Sequence, residues 1–204
     1  MATTTVEMGE TGVLRASGAR LQASGLGACV GLCLYEPLAR IAVLVHVVLP
    51  RTLPPVSVLS AAVLLPGKCA DSALMHALSE VTRNGGQIRL VRAALVGGAQ
   101  IFTPFSTGPG DLLSLSHLEI GQRNVRALKD ELQRVGIPLC AEETGGHGGR
   151  TVTLDSLTGA LWVRPVGLPE RLLVLLGKPP AVPVLFRQPG SEQPSLERVG
   201  SYGN

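Results

Sequence analysis

The chain has 204 residues, 45% of them hydrophobic and 16% charged, so it can bury a sizeable core and is not expected to be disordered. Its 18 Lys and Arg against 15 Asp and Glu give a net charge of +3. The cations are scattered, and no basic run is interleaved with aromatic residues, which make up only 3% of the chain. We therefore expect a folded domain that has no nucleic-acid partner.

No segment is long and apolar enough to span a membrane. The apolar run that carries His46 stops at Pro50, short of the roughly 18 residues that a span needs. The start, MATTTVEMGE, carries acidic residues and lacks the apolar core of a secretory signal. The four cysteines lack the spacing of a zinc site. They are Cys29, Cys33, Cys69 and Cys140. The sequence predicts a cytoplasmic protein with free thiols, no metal, no cofactor and no membrane insertion.

In chain order, residues 1–12 are expected to be a flexible N-terminus. Apolar, roughly alternating segments at about 28–35 and 40–49 then predict two strands. Between them, Glu36-Pro37-Leu38-Ala39 fits a β-turn, because proline is favoured at its second position. The Pro-rich residues 51–67 are expected to form a loop or an irregular crossover.

Two amphipathic helices are predicted after that loop. The first is expected to start near Asp71 or Ser72 and to end at Asn84-Gly85-Gly86. Its apolar stripe follows helical spacing. The stripe consists of Ala70, Ala73, Leu74, Ala77, Leu78 and Val81. The second helix is expected over about 121–135 with Gly136 as its stop. Its inward-facing residues are Val125, Leu128, Leu132 and Val135.

Further strands complete the pattern. They are expected at about 88–96, 137–142, 150–155 and 160–164. Residues 103–118 are expected to form a loop, and after Pro165 the segments RLLVLLG and VPVLF could add strands. Residues 189–204 are polar and turn-rich, which is typical of a disordered tail. Strands outnumber the two helices, so the fold class is α+β, with a single domain expected over residues 13–188.

The first two predicted strands suggest a reactive pair. In a simple hairpin across residues 36–39, Tyr35 faces Arg40 and Cys29 faces His46, at a Cβ separation of about 5 Å. A single β-bulge would place the pair on opposite faces. A neighbouring imidazole can activate a thiol, which attacks well only as the thiolate. From the spacing alone, a Cys–His dyad and two ordinary core residues both remain open.

Seven blocks follow one another over about residues 20–164. They are GLGACV, LYEP, VHVVLP, KCADSALMHAL, LVGGAQIF, EIGQRNV and EETGGHGGR. In this order they resemble the CheD family of chemoreceptor glutamine deamidases. The resemblance implies that Cys29 is the nucleophile and His46 the general base. It also implies two mixed β-sheets packed together with flanking helices, similar to the catalytic domain of the cytotoxic necrotizing factor toxins.

The sequence departs from the family pattern near the nucleophile. The family has a threonine six positions before the cysteine, where this chain has Ala23, with Ser24 beside it. Ser24 or a backbone carbonyl could orient the imidazole instead. Ala28 replaces a family serine, which matters less because an oxyanion hole there would use backbone N–H groups.

Other residues around the predicted site have two interpretations each. GGAQ and ETGGHGGR could contact the substrate, or they could be a tight strand end and a plain loop. The candidate substrate contacts are Gly98, Gln100, Thr144 and Gly145. Cys33 is expected to pack beneath the site rather than to resolve a disulfide. Arg123 and Asn124 open the second helix, where capping or a surface contact would explain them.

The resemblance implies a reaction and partners. The reaction would hydrolyse glutamine side chains on the cytoplasmic helices of methyl-accepting chemoreceptors through a thioester on Cys29, and a CheC-type phosphatase would be a second partner. Because Ala23 replaces the threonine, the alternative is a weakly active or inactive homologue that mainly regulates such a phosphatase by binding. A transglutaminase-like reaction shares the first half-reaction, so the sequence does not separate it from hydrolysis.

Overall fold

The structure is a computed structural model that describes residues 2–51, 65–100 and 120–178. The strands before the first helix are β1 Thr3–Thr5, β2 Thr11–Arg15, β3 Arg20–Leu26, β4 Val30–Glu36 and β5 Ile41–Val47. Those after it are β6 Arg92–Gly97, β7 Leu139–Thr144, β8 Arg150–Asp155, β9 Ala160–Pro165 and β10 Arg171–Leu175. The helices are α1 Ala70–Arg83 and α2 Ile120–Val135, with a short 3-10 helix at Ile88–Leu90.

These strands form two five-stranded sheets. The outer sheet has the order β1-β3-β8-β9-β10 and the central sheet the order β2-β5-β4-β6-β7. Both sheets are mixed, because β1 pairs in parallel with β3 and β6 with β7, whereas the other pairs are antiparallel. One face of the central sheet packs on the helices and the other on the outer sheet. This arrangement confirms the predicted α+β fold of two packed mixed sheets with flanking helices.

The continuous apolar sequence of β4 and β5 follows from their place in the middle layer. Every residue of both strands is buried, because both faces of the sheet are covered. All six predicted stripe residues of α1 are buried as well. Asn84 closes α1, as predicted, and Gly136 follows α2 with φ +77°. The start of α1 differs from the prediction, because the N-cap position is Cys69, whose side chain does not cap the helix.

The prediction of a flexible N-terminus over residues 1–12 is wrong for the part that the structure describes. Thr3–Thr5 pairs in parallel with the start of β3, and Val6 is only 2% exposed in the core between the sheets. The sequence does not predict this strand, because a short, polar edge strand lacks the alternation of apolar residues by which strands are recognised. The parallel pairing with β3 supplies the hydrogen bonds that hold it in place.

The predicted hairpin register is also wrong. The ladder pairs Gly31 with His46 and Glu36 with Ile41, so the loop is the four residues Pro37–Arg40. Arg40 takes φ +54°, and the Ala39 N–H donates to the Glu36 carboxylate at 2.6 Å, which together close this loop one residue later than the predicted loop over 36–39. The shift is an even number of residues. His46 therefore keeps its predicted face, but its direct partner is Gly31 and not Cys29.

Several remaining predictions concern the ends and loops of the chain. β10 confirms that RLLVLLG adds a strand. Most of the loop predicted over 51–67, the loop over 103–118, the VPVLF segment and the tail over 189–204 lie outside the described residues. In the part of the chain that the structure describes, no disulfide joins the cysteines, which are Cys29, Cys33, Cys69 and Cys140. In the described parts of the chain, no helix is long and apolar enough to cross a membrane.

Candidate active site

The backbone that leads into β4 is held by the end of β6. The Gly27 carbonyl accepts a hydrogen bond from the Ala99 N–H at 2.6 Å, and the Cys29 carbonyl accepts one from the Gly98 N–H at 2.8 Å. Gly97, the last residue of β6 and the one before these two donors, has φ +114°. The segment that carries the predicted nucleophile is therefore fixed by main-chain contacts on one side.

Cys29 lies one residue before β4, at the edge of the core between the two sheets. Its side chain is partly buried and packs against that core. Burial raises the pKa of the Cys29 thiol above its ordinary value. The thiol is therefore neutral near pH 7, and it needs a base to become a nucleophile.

His46 is a base whose orientation is set by the N-terminal segment. Its side chain is almost fully buried, 3% exposed, and Nδ1 lies 3.3 Å from the Val6 carbonyl oxygen. Burial lowers the pKa of His46, and the Val6 contact and the charge of Glu7 oppose that shift only in part. A neutral imidazole that donates from Nδ1 to the carbonyl presents a lone pair on Nε2. Nε2 is buried and has no hydrogen-bond partner among the described residues.

Cys29 and His46 both lie on the side of the central sheet that faces the outer sheet. His46 follows Ala42 and Leu44 at alternate positions along β5, those two residues belong to the core between the sheets, and Cys29 packs against that core. His46 lies opposite Gly31, whereas Cys29 precedes Gly31 by two residues and lies before the first rung of the strand ladder. The dyad thus stays a prediction with a geometry different from the one that the simple hairpin implied.

The residues proposed to replace the family threonine lie elsewhere. Ala23 is fully buried on β3 opposite Val152 and carries no polar group. Ser24 is exposed, and its Oγ lies 3.4 Å from the Thr151 hydroxyl. In the described structure it is Val6 that contacts the His46 ring, so a backbone carbonyl does what Ser24 was considered for. Sequence reasoning did not point to Val6, because nothing marks one carbonyl among many.

The two glycines of GGAQ are required by close packing at the nucleophile segment. A Cβ on Gly97 would lie 2.3 Å from the Cys29 carbonyl oxygen, and one on Gly98 would lie 2.3 Å from Val125 Cγ2. Both residues also have positive φ, at +114° and +64°. The pair therefore forms a tight strand end that supports the Cys29 backbone, and the substrate contact proposed for Gly98 stays a prediction.

We expect Gly97→Ala to lower the free energy of unfolding by about 3 kcal/mol or more, since a clash is added to the cost of positive φ. Urea unfolding followed by circular dichroism measures it. Gly136→Ala is the matched control, because Gly136 has φ +77° and nothing within 4 Å of its Cβ position. That control should lose only about 1 kcal/mol. If both variants lost the same free energy of unfolding, the close contact between residue 97 and the Cys29 carbonyl would contribute nothing to stability.

Three of the four candidate substrate contacts line one open cleft of about 420 Å³. They are Gly98, Thr144 and Gly145. The opposite wall belongs to α2 and includes Arg126, Lys129 and Asp130. Gln100 does not line this cleft; its N–H donates to the Gly146 carbonyl at 2.8 Å. Gly98 links this cleft to the Cys29 backbone, because its N–H donates to the Cys29 carbonyl, but the side chains of Cys29 and His46 are not among the residues that line it.

Asn124 is a residue of the site that the sequence interpretation placed wrongly. It was expected to cap α2 or to lie on the surface, yet it is fully buried. Its Nδ2 donates to the Ala28 carbonyl at 3.0 Å and to the Val48 carbonyl at 2.9 Å. Its position, four residues before Leu128 on the inward stripe, was the signal that could have indicated burial.

Other titratable side chains lie away from this arrangement. Cys33 is completely buried between the sheets, as predicted, and burial raises the pKa of its thiol far above the ordinary value. His147 is exposed. Within the described ranges, no group of three or more His, Cys, Asp and Glu side chains is placed to hold a metal ion.

Comparisons with known proteins agree on one family. The family model described as CheD chemotactic sensory transduction matches residues 53–165. A probable chemoreceptor glutamine deamidase CheD of Geobacillus kaustophilus is 38% identical over 144 residues, 71% of this chain and 81% of the relative. The relative of the same name in Moorella thermoacetica is 38% identical over 168 residues, 82% of this chain and 93% of its own. The chemoreceptor glutamine deamidase CheD of Thermotoga maritima is 35% identical over 167 residues, covering 82% and 94%.

The match to the family model begins after Cys29 and His46 in the sequence. It includes the glycine pair at 97–98 and Asn124, which support the nucleophile segment. The roles of Cys29 and His46 in this chain therefore rest on the geometry described above and on the resemblance of the surrounding motifs.

Proposed function

The chain belongs to the CheD family, and from that premise we propose that it hydrolyses glutamine side-chain amides of methyl-accepting chemoreceptors to glutamate. The names of its relatives supply the substrate class. One observation supports the catalytic assignment most directly. The buried His46 has Nδ1 against the Val6 carbonyl and an unpartnered Nε2, on the sheet face that also carries Cys29.

In the first half-reaction, His46 Nε2 takes the proton of the Cys29 thiol as the sulfur attacks the carboxamide carbon. The raised pKa of the thiol and the lowered pKa of the imidazole favour a neutral resting pair, so proton transfer accompanies the attack. The C–S bond forms, and the carbonyl electrons move onto the oxygen. The protonated Nε2 then donates its proton to the nitrogen, the C–N bond breaks, and ammonia leaves a thioester.

In the second half-reaction, His46 Nε2 takes a proton from water as the water oxygen attacks the thioester carbon. The tetrahedral intermediate expels the Cys29 sulfur, which recovers the proton from Nε2. The product is glutamate, and the enzyme returns to its neutral pair. Water enters only from the open side of the site, since Cys29 is partly exposed whereas His46 is buried.

The negative oxygen of both intermediates is assigned to the backbone before β4. The carbonyls of Gly27, Ala28 and Cys29 are all engaged by β6 and α2. The N–H groups of Ala28 and Cys29, by contrast, have no acceptor assigned among the described residues. Two such N–H groups next to the nucleophile are the usual elements of an oxyanion hole. Ala28 in place of a serine leaves this function intact, because the side chain is not used.

We assign the cleft beside Gly98 to the substrate helix. It is open and shallow, which suits a glutamine presented on the surface of a long receptor helix better than a free amino acid. Thr144 and Gly145 would contact the helix backbone, and the charges of Arg126 and Asp130 would face its polar side chains.

The test of the proposed function uses purified chemoreceptor fragments. Wild-type protein is expected to release one ammonia for each glutamine converted, with the mass change of an amide becoming an acid. The matched substrate control is the same fragment with its candidate glutamines replaced by glutamate, which should release no ammonia. Tandem mass spectrometry then identifies the modified positions.

Failure to release ammonia from any receptor fragment would overturn the deamidase proposal. The binding-regulator alternative would then be tested by measuring whether the protein binds a CheC-type phosphatase and changes its rate. Adding a primary amine to the deamidation assay distinguishes transglutamination, because an amine that intercepts the thioester yields a substituted amide rather than the acid.

A further inference from the structure

Asn124 contacts the chain segments on either side of the proposed reacting pair. It is 0% exposed, and its amide hydrogens are donated to the Ala28 and Val48 carbonyls. Ala28 immediately precedes Cys29, and Val48 follows His46 by two residues. A single side chain of α2 therefore bonds to both segments that carry the reacting groups.

The two acceptors define how the amide is oriented. A carbonyl oxygen can only accept, so the Asn124 nitrogen must face Ala28 and Val48. Both hydrogens of that nitrogen are used in this way. Oδ1 is buried and has no hydrogen-bond partner among the described residues. Burying Oδ1 without a hydrogen-bond partner lowers the stability of the fold. Stability alone therefore does not explain why this amide is buried.

The bridge occupies the place where the strand ladder stops. The last rung between β4 and β5 is Val30–Val47, and the chain before Val30 is outside the ladder. Ladder hydrogen bonds therefore do not set the separation between the Cys29 segment and the end of β5. The Asn124 amide joins Ala28 to Val48 just beyond this rung and replaces the missing main-chain bonds.

We propose that Asn124 is a positioning residue, which sets the distance between the Cys29 sulfur and His46 Nε2. This inference rests on the proposed function, since it concerns the same reacting pair. The Gly97–Gly98 contacts hold the Cys29 backbone against β6, and Asn124 holds it against β5. Without the bridge, the Cys29 thiol and the His46 imidazole are both still present, but the distance between them is no longer fixed. A displacement of about 1 Å in such a pair can cost about a hundredfold in rate.

The experiment compares Asn124→Ala and Asn124→Asp with wild type in the full chain. Asn124→Asp keeps the volume but cannot donate to both carbonyls, so it separates hydrogen bonding from cavity formation. We expect kcat to fall about a hundredfold in both variants, with KM within about threefold of wild type. Circular dichroism and urea unfolding establish that the variants assayed are folded.

Ser156→Ala is the matched control for a lost buried hydrogen bond. Ser156 is also 0% exposed, and its hydroxyl donates to the Ala19 carbonyl at 2.7 Å. It lies by the Tyr35 end of β4, away from Cys29. This variant should shift the urea midpoint in the same direction as Asn124→Ala while its kcat stays within about twofold of wild type.

A second readout does not depend on deamidation. The rate of Cys29 alkylation by iodoacetamide, followed by peptide mass spectrometry, is expected to be faster in wild type than in His46→Gln, because the imidazole assists thiolate formation. In the Asn124 variants this His46-dependent difference should disappear. If wild type releases no ammonia, the proposed function fails, and the alkylation comparison alone decides the role of Asn124.

Two results would overturn the positioning role. The first is that the Asn124 variants fold and keep kcat, or the His46-dependent difference in alkylation rate, within threefold of wild type. The other is failure of both variants to fold, which would make Asn124 a residue required by the core rather than by the site.

Discussion

Cys29→Ala is expected to lower kcat/KM for glutamine deamidation at least about a thousandfold, because alanine cannot form the thioester through which the whole reaction passes. Binding of the receptor fragment should change little, since Cys29 is a small, partly buried residue and is not among those that line the cleft. Ammonia release and receptor mass, measured side by side with wild type, give the result.

Cys140→Ala is the matched control for this substitution. Cys140 is a partly buried thiol like Cys29, and burial raises its pKa as well. It lies on β7 and is not part of the proposed pair, so its replacement should leave kcat/KM within about twofold of wild type. If the Cys29 variant kept the activity of the Cys140 variant, the reaction would have to use another nucleophile.

His46→Gln is expected to lower kcat about a hundredfold to ten-thousandfold, the range typical of losing a general base. Glutamine can still donate to the Val6 carbonyl, but its amide cannot take a proton from the thiol. His76→Gln is the control. His76 is partly exposed on α1, and its replacement should leave kcat unchanged.

The pH profile of kcat/KM tests the same residue in the wild type. Burial lowers the pKa of His46, so the imidazole stays neutral down to a pH below the ordinary value of about 6.5. Activity should therefore fall only on the acid side of about 6.5, as protonation removes the acceptor at Nε2. The His46→Gln variant should lack this acid limb. An identical limb in that variant would assign the titration to another group.

The two helices and the paired central strands are the parts of the fold that the sequence predicts well. The α1 stripe repeats at helical spacing because one face must be buried, and the same residues are buried in the structure. The unbroken apolar runs of β4 and β5 follow from burial on both faces. These signals are local, since each depends on which side of one element is covered.

The site depends on contacts that local patterns do not contain. The β4–β5 register changed by two residues because the four-residue loop begins one residue later than predicted and ends with Arg40 at positive φ, which the turn chemistry of Pro37 did not reveal. The N-terminal strand carries almost no apolar signal, yet it places the Val6 carbonyl beside His46 across 40 residues of sequence. Asn124 reaches Ala28 across 96 residues.

For this protein, the sequence by itself determined the fold class, the family resemblance and the identity of a candidate Cys29–His46 pair. Only the tertiary structure decided that His46 pairs with Gly31 and not with Cys29, that the Val6 carbonyl contacts the imidazole where Ala23 offers no polar group, and that Asn124 bridges the strand ends. The physical reason is that periodicity reports the burial of a face, whereas strand register and buried hydrogen bonds are selected by the packing of distant segments.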